Sequence, residues 1–232
     1  MTSGAALRRG RRRAPRGSGE RLRVEILDAT TELLLENGHA KDVSIRAVAE
    51  RVGVTSPSIY LHFADKDALL DAVCARYFET LHDEMQRAVQ GQVSTLEALR
   101  AQGLAYVRFA IATPELYRIA TMGEGSPGSD VDAALTSSAF VHLRGSVESL
   151  VREGIYPPGD PTALTLELWT AAHGVVAMLI AKPYLPFGDP LAFADNVLRA
   201  VCTGHMAVGI VGVDAGPQET LHWVLDSKGV RR

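Results

Sequence analysis

The 232-residue sequence holds only two cysteines, Cys74 and Cys202. They are far apart, and no companion ligand stands at a zinc-site spacing. Two reduced thiols in a cytosolic protein are expected; a redox-sensing pair is the alternative. No run approaches eighteen uninterrupted apolar residues, so no membrane span is expected. The N-terminus is basic but has no apolar stretch after it, which speaks against a signal peptide. Ser, His and Asp fall into no nucleophile-elbow pattern, and there is no phosphate-binding glycine loop and no metal motif. An all-α enzyme would need paired acidic or His residues at i, i+3 or i+4 on an inner face, and these are missing. No enzyme activity, metal or cofactor is therefore expected. Aromatics are also few, at 6%, while hydrophobic residues make up 47%. Plentiful Ala and Leu with few aromatics suit an all-α fold with an ample core.

Basic charge is scarce overall but concentrated. The net charge is −3, yet residues 1–23 carry eight Arg against Glu20 alone, a local charge of +7. The remaining 209 residues therefore carry −10. Nucleic-acid binding shows in where such charge lies rather than in the overall balance. Residues 1–19 are rich in Gly, Ser, Pro and Arg without periodicity, and are expected to be disordered in the absence of DNA. Arg11, Arg12, Arg13 and Arg16 are candidates for an arm that follows phosphates or enters the minor groove. A solvated tail is the plainer alternative.

The chain is organised around residues 43–70. Ile45, Val48, Ala49 and Val52 recur at helical spacing after Ser44, a good N-cap. Gly53 stops that helix. Thr55 is the next N-cap candidate, and residues 56–61 form a second short helix with Pro57 in its first turn. Two short helices joined by a Gly-containing turn make a helix-turn-helix. Ile59 must face inward, between Val54 and Phe63. Thr55, Ser56, Pro57, Ser58, Tyr60 and His62 are left for the groove, where small hydroxyls permit close approach and Tyr60 and His62 reach phosphates. Asp65 caps a third helix. Lys66 in its first turn opposes the helix dipole, and a nearby phosphate would offset that cost. Lys41, Ser44 and Arg46 complete the candidate DNA-binding set.

Helical spacing continues on both sides. A first helix over residues 20–37 has Leu22, Ile26, Ala29, Thr30, Leu33 and Leu34 as its inner stripe. Residues 66–89 form a long helix, a candidate lever, with the domain boundary inside it: 1–19 is an arm, 20–75 a three-helix DNA-binding domain and 76–232 a second helical domain. Further helices are expected over 94–112, with Ser94 and Glu97 as a capping box, and over 115–122. Residues 123–129 read as a loop, and residues 130–153 as a helix. Residues 162–182 and 191–210 are apolar almost all round. One chain cannot cover both helices, so the pair is expected to meet its own copy in a two-fold, four-helix interface.

Two motifs carry a family resemblance. Ile45-x-x-Val48-Ala49-x-x-Val52-Gly53-Val54, followed by Ser58-Ile59-Tyr60-x-His62-Phe63-x-x-Lys66-x-x-Leu69-Leu70, resembles the TetR family of bacterial transcriptional regulators. Ile26-Leu27-Asp28-Ala29 and Leu33-x-x-Glu36-x-Gly38 resemble that family's first helix. The resemblance spans roughly residues 20–75. Trp169-x-x-x-His173-Gly174 and Pro114-Glu115-Leu116-Tyr117 more weakly resemble one subgroup's ligand-binding region. The resemblance implies a cytoplasmic homodimer bound to operator DNA, an all-α effector domain, and repression relieved by a small molecule. Its usual cavity lining implies Tyr106, Phe109, Met122, Leu143, Val147, Trp169, His173 and Val176 as effector-pocket candidates, and their apolar character suits a hydrophobic ligand. His173 also reads as a structural hydrogen-bonding residue at the interface. An architectural, non-specific DNA-binding protein is the alternative; it would share the basic arm without needing a large apolar second domain.

Overall fold

The computed structural model describes residues 18–122 and 137–227, and among these every regular element is helical. The chain divides into two compact units, one up to Leu70 and one from Asp71, so the division falls inside a helix.

The first unit is built from α1 (Ser18–Asn37), a 3-10 turn (Ala40–Asp42), α2 (Ile45–Val52), α3 (Ser56–Ile59) and the start of α4 (Lys66–Val89). α1 buries Ile26, Leu27, Ala29, Thr30, Leu33 and Leu34. The buried Thr30 hydroxyl donates to the Ile26 carbonyl at 2.7 Å, which lets a polar residue sit on the inner stripe. Leu27 widens that stripe beyond the residues the periodicity singled out. α2 packs on α1 and α3 through Val48 and Ala49. Its start is fixed by the Ser44 hydroxyl, which accepts the Ala47 N–H at 3.1 Å. Its end is fixed by Gly53 at φ +78, a left-handed conformation that glycine adopts without steric cost. α3 is one turn long, two residues shorter than the sequence suggests. Ile59 is fully buried beneath it and Phe63 is nearly so. The Arg23 guanidinium lies 5.2 Å from the Phe63 ring centroid, a cation–π contact over the hydrophobic centre.

The second unit contains the rest of α4, then α5 (Thr95–Ala112), α6 (Pro114–Met122), α7 (Ser138–Arg152), α8 (Pro161–Ala181), α9 (Pro190–Val211) and α10 (Pro217–Ser227). Residues 130–136 of the expected seventh helix lie outside the described residues. Side-chain caps start four of these helices: Ser94, Ser137, Asp160 and Asp189 each accept a backbone N–H of the first turn. The expected capping box is only half formed. Ser94 takes the Glu97 N–H, but the Glu97 carboxylate turns to Arg100 instead of back to Ser94.

α5 is the central helix of this unit, packed against α6, α7, α8 and α9. Leu99, Val147, Leu150, Tyr156 and Leu168 form a buried cluster at its start. α9 closes on the turn after α7 at Gly209. A Cβ there would stand 2.9 Å from the Ile155 carbonyl oxygen and 2.9 Å from the Pro157 nitrogen, so only glycine permits this approach.

α8 is the most apolar long helix among the described residues. By length and composition it is long and apolar enough to cross a membrane, with a mean hydropathy of 1.5. Counting uninterrupted apolar runs misses this, because Glu167 and His173 break the run. The same test is passed by core helices, and Thr165, Leu168, Ala172, Val175 and Val176 of α8 are buried inside this unit.

Candidate functional site

In the first unit, α2, α3 and the following turn present the residues expected to meet DNA. Tyr60 is 53% exposed, and Leu61, which the sequence reading passed over, is 83% exposed. Lys41, Ser44, Arg46, Thr55 and Pro57 are exposed, while Ser56, Ser58, His62 and Lys66 are half-buried. Thr55 occupies the N-cap position of α3 but makes no side-chain cap bond. Its hydroxyl instead lies 3.0 Å from that of Ser58, so the two are held together at the surface. The His62 ring sits against the first turn of α1, 3.8 Å from where a Cβ on Gly19 would stand. Asp65 caps α4 by accepting the Ala68 N–H at 2.8 Å, which leaves Lys66 in the first turn as expected.

Arg51 on α2 is engaged within the unit. It bonds Glu36 at 2.6 Å and Glu32 at 3.0 Å on α1. The hydrogen bond from Arg51 holds the Glu36 carboxyl below its ordinary value. This cation braces α2 on α1. Arg11, Arg12, Arg13 and Arg16 lie outside the described residues.

The second unit holds a small apolar cavity of about 50 Å³ between α4, α5, α7, α8 and α9. Of the expected set, Tyr106, Leu143 and Trp169 line it. The other described candidates do not. Val147, one turn beyond Leu143 on α7, packs into the Leu99 cluster. Phe109 packs on Tyr77, with ring centroids 5.0 Å apart. Val176 is fully buried outside the lining. Nδ1 of His173 lies 2.7 Å from the Tyr117 hydroxyl, and burial lowers the imidazole pKa, so the ring is a neutral bracing group. The side chain of Met122 is outside the description. Helical spacing identifies a buried face but not where that face leaves a gap.

The lining also contains residues that the sequence reading missed: Met85, Leu99, Gln102, Leu168, Ala172, Leu198 and Cys202, with the more exposed Arg100, Arg199 and Gly103. Gln102 had a visible signal, since an amide placed among Leu99, Ala105 and Tyr106 breaks an otherwise apolar inner stripe. It is fully buried, and its amide nitrogen donates to the Ser146 hydroxyl at 2.6 Å. Neither cysteine forms a disulfide, and burial raises the Cys202 thiol. Among the described residues no group of three or more His, Cys, Asp or Glu could hold a metal ion.

Family models match both units. The tetR model of bacterial regulatory proteins matches residues 26–73, and the tetracyclin repressor-like C-terminal domain matches residues 99–201. Among curated proteins, the chain is 28% identical over 171 residues to the nucleoid occlusion factor SlmA of Vibrio cholerae, covering 71% of this chain and 87% of SlmA. Among solved structures, a Rhodococcus sp. RHA1 protein of unknown function superposes with a TM-score of 0.66 at 27% identity, covering 84% of this chain and 97% of the other. The TetR-family regulator PfmR of Thermus thermophilus superposes at 0.52 with 20% identity, covering 82% and 99%. Members of the family bind DNA and dimerise, and the family is one of regulators rather than enzymes. The helix-turn-helix of the first unit, the helical second unit and the matches to both make this chain a member of the TetR family of DNA-binding transcriptional regulators.

Proposed function

We propose that the protein is a homodimeric, cytoplasmic repressor without catalytic activity, released from its operator by a small hydrophobic effector. The observation that carries this reading is the apolar cavity enclosed in the second unit of a chain whose first unit displays a capped helix-turn-helix. On this reading Tyr60, Thr55, Ser56, Pro57 and Ser58 contact bases and sugar-phosphate in the major groove. Lys41, Ser44, Arg46, His62 and Lys66 contact phosphates, and Arg11, Arg12, Arg13 and Arg16 extend that contact as an arm.

Dimerisation uses the outer faces of α8 and α9. Ala163, Thr170 and Gly174 of α8 and Ala192, Ala200, Thr203 and Gly204 of α9 are exposed in the single chain. Such small side chains allow close approach of a second copy in an isologous contact. A dimer presents two recognition helices to half-sites about one DNA turn apart. For efficient release the effector favours the non-binding state by roughly 5.5 kcal/mol, which takes a 1:99 population to 99:1.

The basic charge concentrated in residues 1–23 would equally serve a second reading, an architectural role in which DNA is coated with little sequence selectivity. A footprint on DNA flanking the protein's own gene, at two salt concentrations, separates the two. The repressor reading expects a protected near-palindrome of about twenty base pairs. Diffuse, strongly salt-sensitive coverage would favour the architectural role.

A further inference from the structure

The exposed surface of α8 and α9 changes character along its length. The two helices pack on each other and are joined by the short connection 182–189, so they form an antiparallel hairpin. At about 1.5 Å per residue its two ends stand roughly 30 Å apart. Between those ends α8 and α9 expose no large hydrophobic side chain. The ends themselves do. At the connection Met178, Tyr184 and Leu185 are exposed, Tyr184 by 75%. At the opposite end, from the last turn of α9 through α10, Ile210, Val213, Leu221 and Trp223 are exposed. Single exposed hydrophobic residues are ordinary, but two apolar ends bracketing one helical face are not scattered singly.

The two ends are also complementary. The turn from α9 into α10 curves round an open recess of about 430 Å³, lined by Val211, Gly212, Val213, Asp214, Ala215 and Glu219, which has room for a phenol ring. Two of these residues are acidic and none is a cation. The connection carries the matching groups. Lys182 is exposed, and its ammonium stands 5.9 Å from the centroid of the Tyr184 ring, so a cation and an exposed ring are presented together. Asp189, the carboxylate of the connection, is occupied in capping α9, where it accepts the Ala192 N–H at 2.7 Å. Symmetry then decides which end meets which. A two-fold axis running along the hairpin would set Lys182 against its own copy and one acidic recess against the other. An axis running across the hairpin sets each connection on the other copy's recess, twice over, because isologous contacts are reciprocal. Only the second arrangement brings opposite charges together, and like charges facing each other across an interface are costly.

We propose that the α8–α9 connection of each subunit clasps a second copy of the chain: Lys182 and Tyr184 enter the other copy's recess at residues 211–219, and Leu185 packs on its α10. This rests on the reading of α8 and α9 as the dimer face. The test cross-links the full-length protein with a short, flexible bis-maleimide, at concentrations where sedimentation shows each variant to be dimeric. Tyr184→Cys and Val213→Cys are made singly and together, and the wild type with its two native cysteines is the control. Within one chain the two positions lie at opposite ends of the hairpin, too far apart to be joined. The expected result is a covalent dimer from the double variant, and no product above the wild-type level from either single variant. Cross-linking of Tyr184→Cys alone would mean that connection meets connection, and of Val213→Cys alone that recess meets recess; either overturns the proposal. So does a dimeric double variant that gives no covalent product. Independently, Tyr184→Ser should weaken dimerisation by at least about tenfold, since the contact is made twice, with the far-UV circular dichroism unchanged. An unchanged dimer affinity in that variant overturns the clasp and leaves the dimer reading intact. A wild type that sediments as a monomer at every concentration contradicts the dimer reading, and the clasp with it.

Discussion

The two units use polar side chains in opposite ways. In the first, nearly every polar group near the candidate DNA face is exposed or locally satisfied. Ser44 caps α2, Asp65 caps α4, Thr55 and Ser58 hold each other, and Arg51 is clamped by Glu32 and Glu36. In the second, Gln102 and Tyr106 are buried with unpartnered oxygens beside a cavity. A surface that reads DNA needs a rigid frame with its donors outside. A site that takes an apolar guest needs an interior left incompletely filled. The first demands short-range capping and a tight small core, and the second tolerates packing defects that an ordinary core would not.

That contrast can be broken by substitution. The largest expected effect is that of Ile59→Ala, which removes a fully buried side chain from the small core. It should cost the first unit about 2–5 kcal/mol, read as a fall in its denaturant midpoint. An unchanged midpoint would mean that the core beneath α3 is not what holds the recognition turn. Gly209→Ala comes next. In most helices Ala in place of Gly is favourable by about 1 kcal/mol. Here the new Cβ would meet backbone at 2.9 Å, and a destabilisation of about 1–3 kcal/mol is expected. A stabilised variant would show that α9 and the turn after α7 do not close as described.

Caps give a finer test within the first unit. Ser44→Ala should cost about 1 kcal/mol, because it removes a formed cap bond. Thr55→Ala should cost less than about 0.5 kcal/mol, because that hydroxyl caps nothing. Equal costs would erase the distinction. The smallest effect is on pH dependence, and it belongs to the second unit. Burial holds His142 and His173 below the ordinary histidine value of 6.5, and His82 adds to this at His142. The folded chain therefore binds these protons less readily than the unfolded chain. The stability they provide is full above about 6.5 and is lost as the pH falls through the folded values. Thermal unfolding scans should show this decline, and His142→Gln should flatten it. A stability that rose on acidification would contradict burial of the neutral rings.

The first unit was legible in the sequence because its determinants are local. Ser44, Gly53 and Asp65 act within four residues of themselves, and the Val48, Ala49 and Ile59 spacing needs no knowledge of distant neighbours. Two details differ there: α3 stops at Ile59, and Thr55 holds the N-cap position while its hydroxyl pairs with Ser58 instead of the backbone. The cavity was legible only in part because its walls come from five helices. Leu143 and Val147 look alike in sequence and both pack with the Leu99 cluster, yet only Leu143 reaches the gap. That difference is set by side chains far away in the chain, including Leu168 and Leu198. Gln102 was the readable clue, a polar residue on an apolar stripe.

The most direct test of the account is a titration of wild-type protein and Tyr60→Ala against the operator fragment that the footprint defines, with the dimer verified by sedimentation. Tyr60 is exposed on the turn that follows α3 and is not part of the core, so its removal should leave folding and dimerisation intact. The account expects operator affinity to fall by about tenfold or more. A Tyr60→Ala dimer that binds the operator as tightly as the wild type would contradict it.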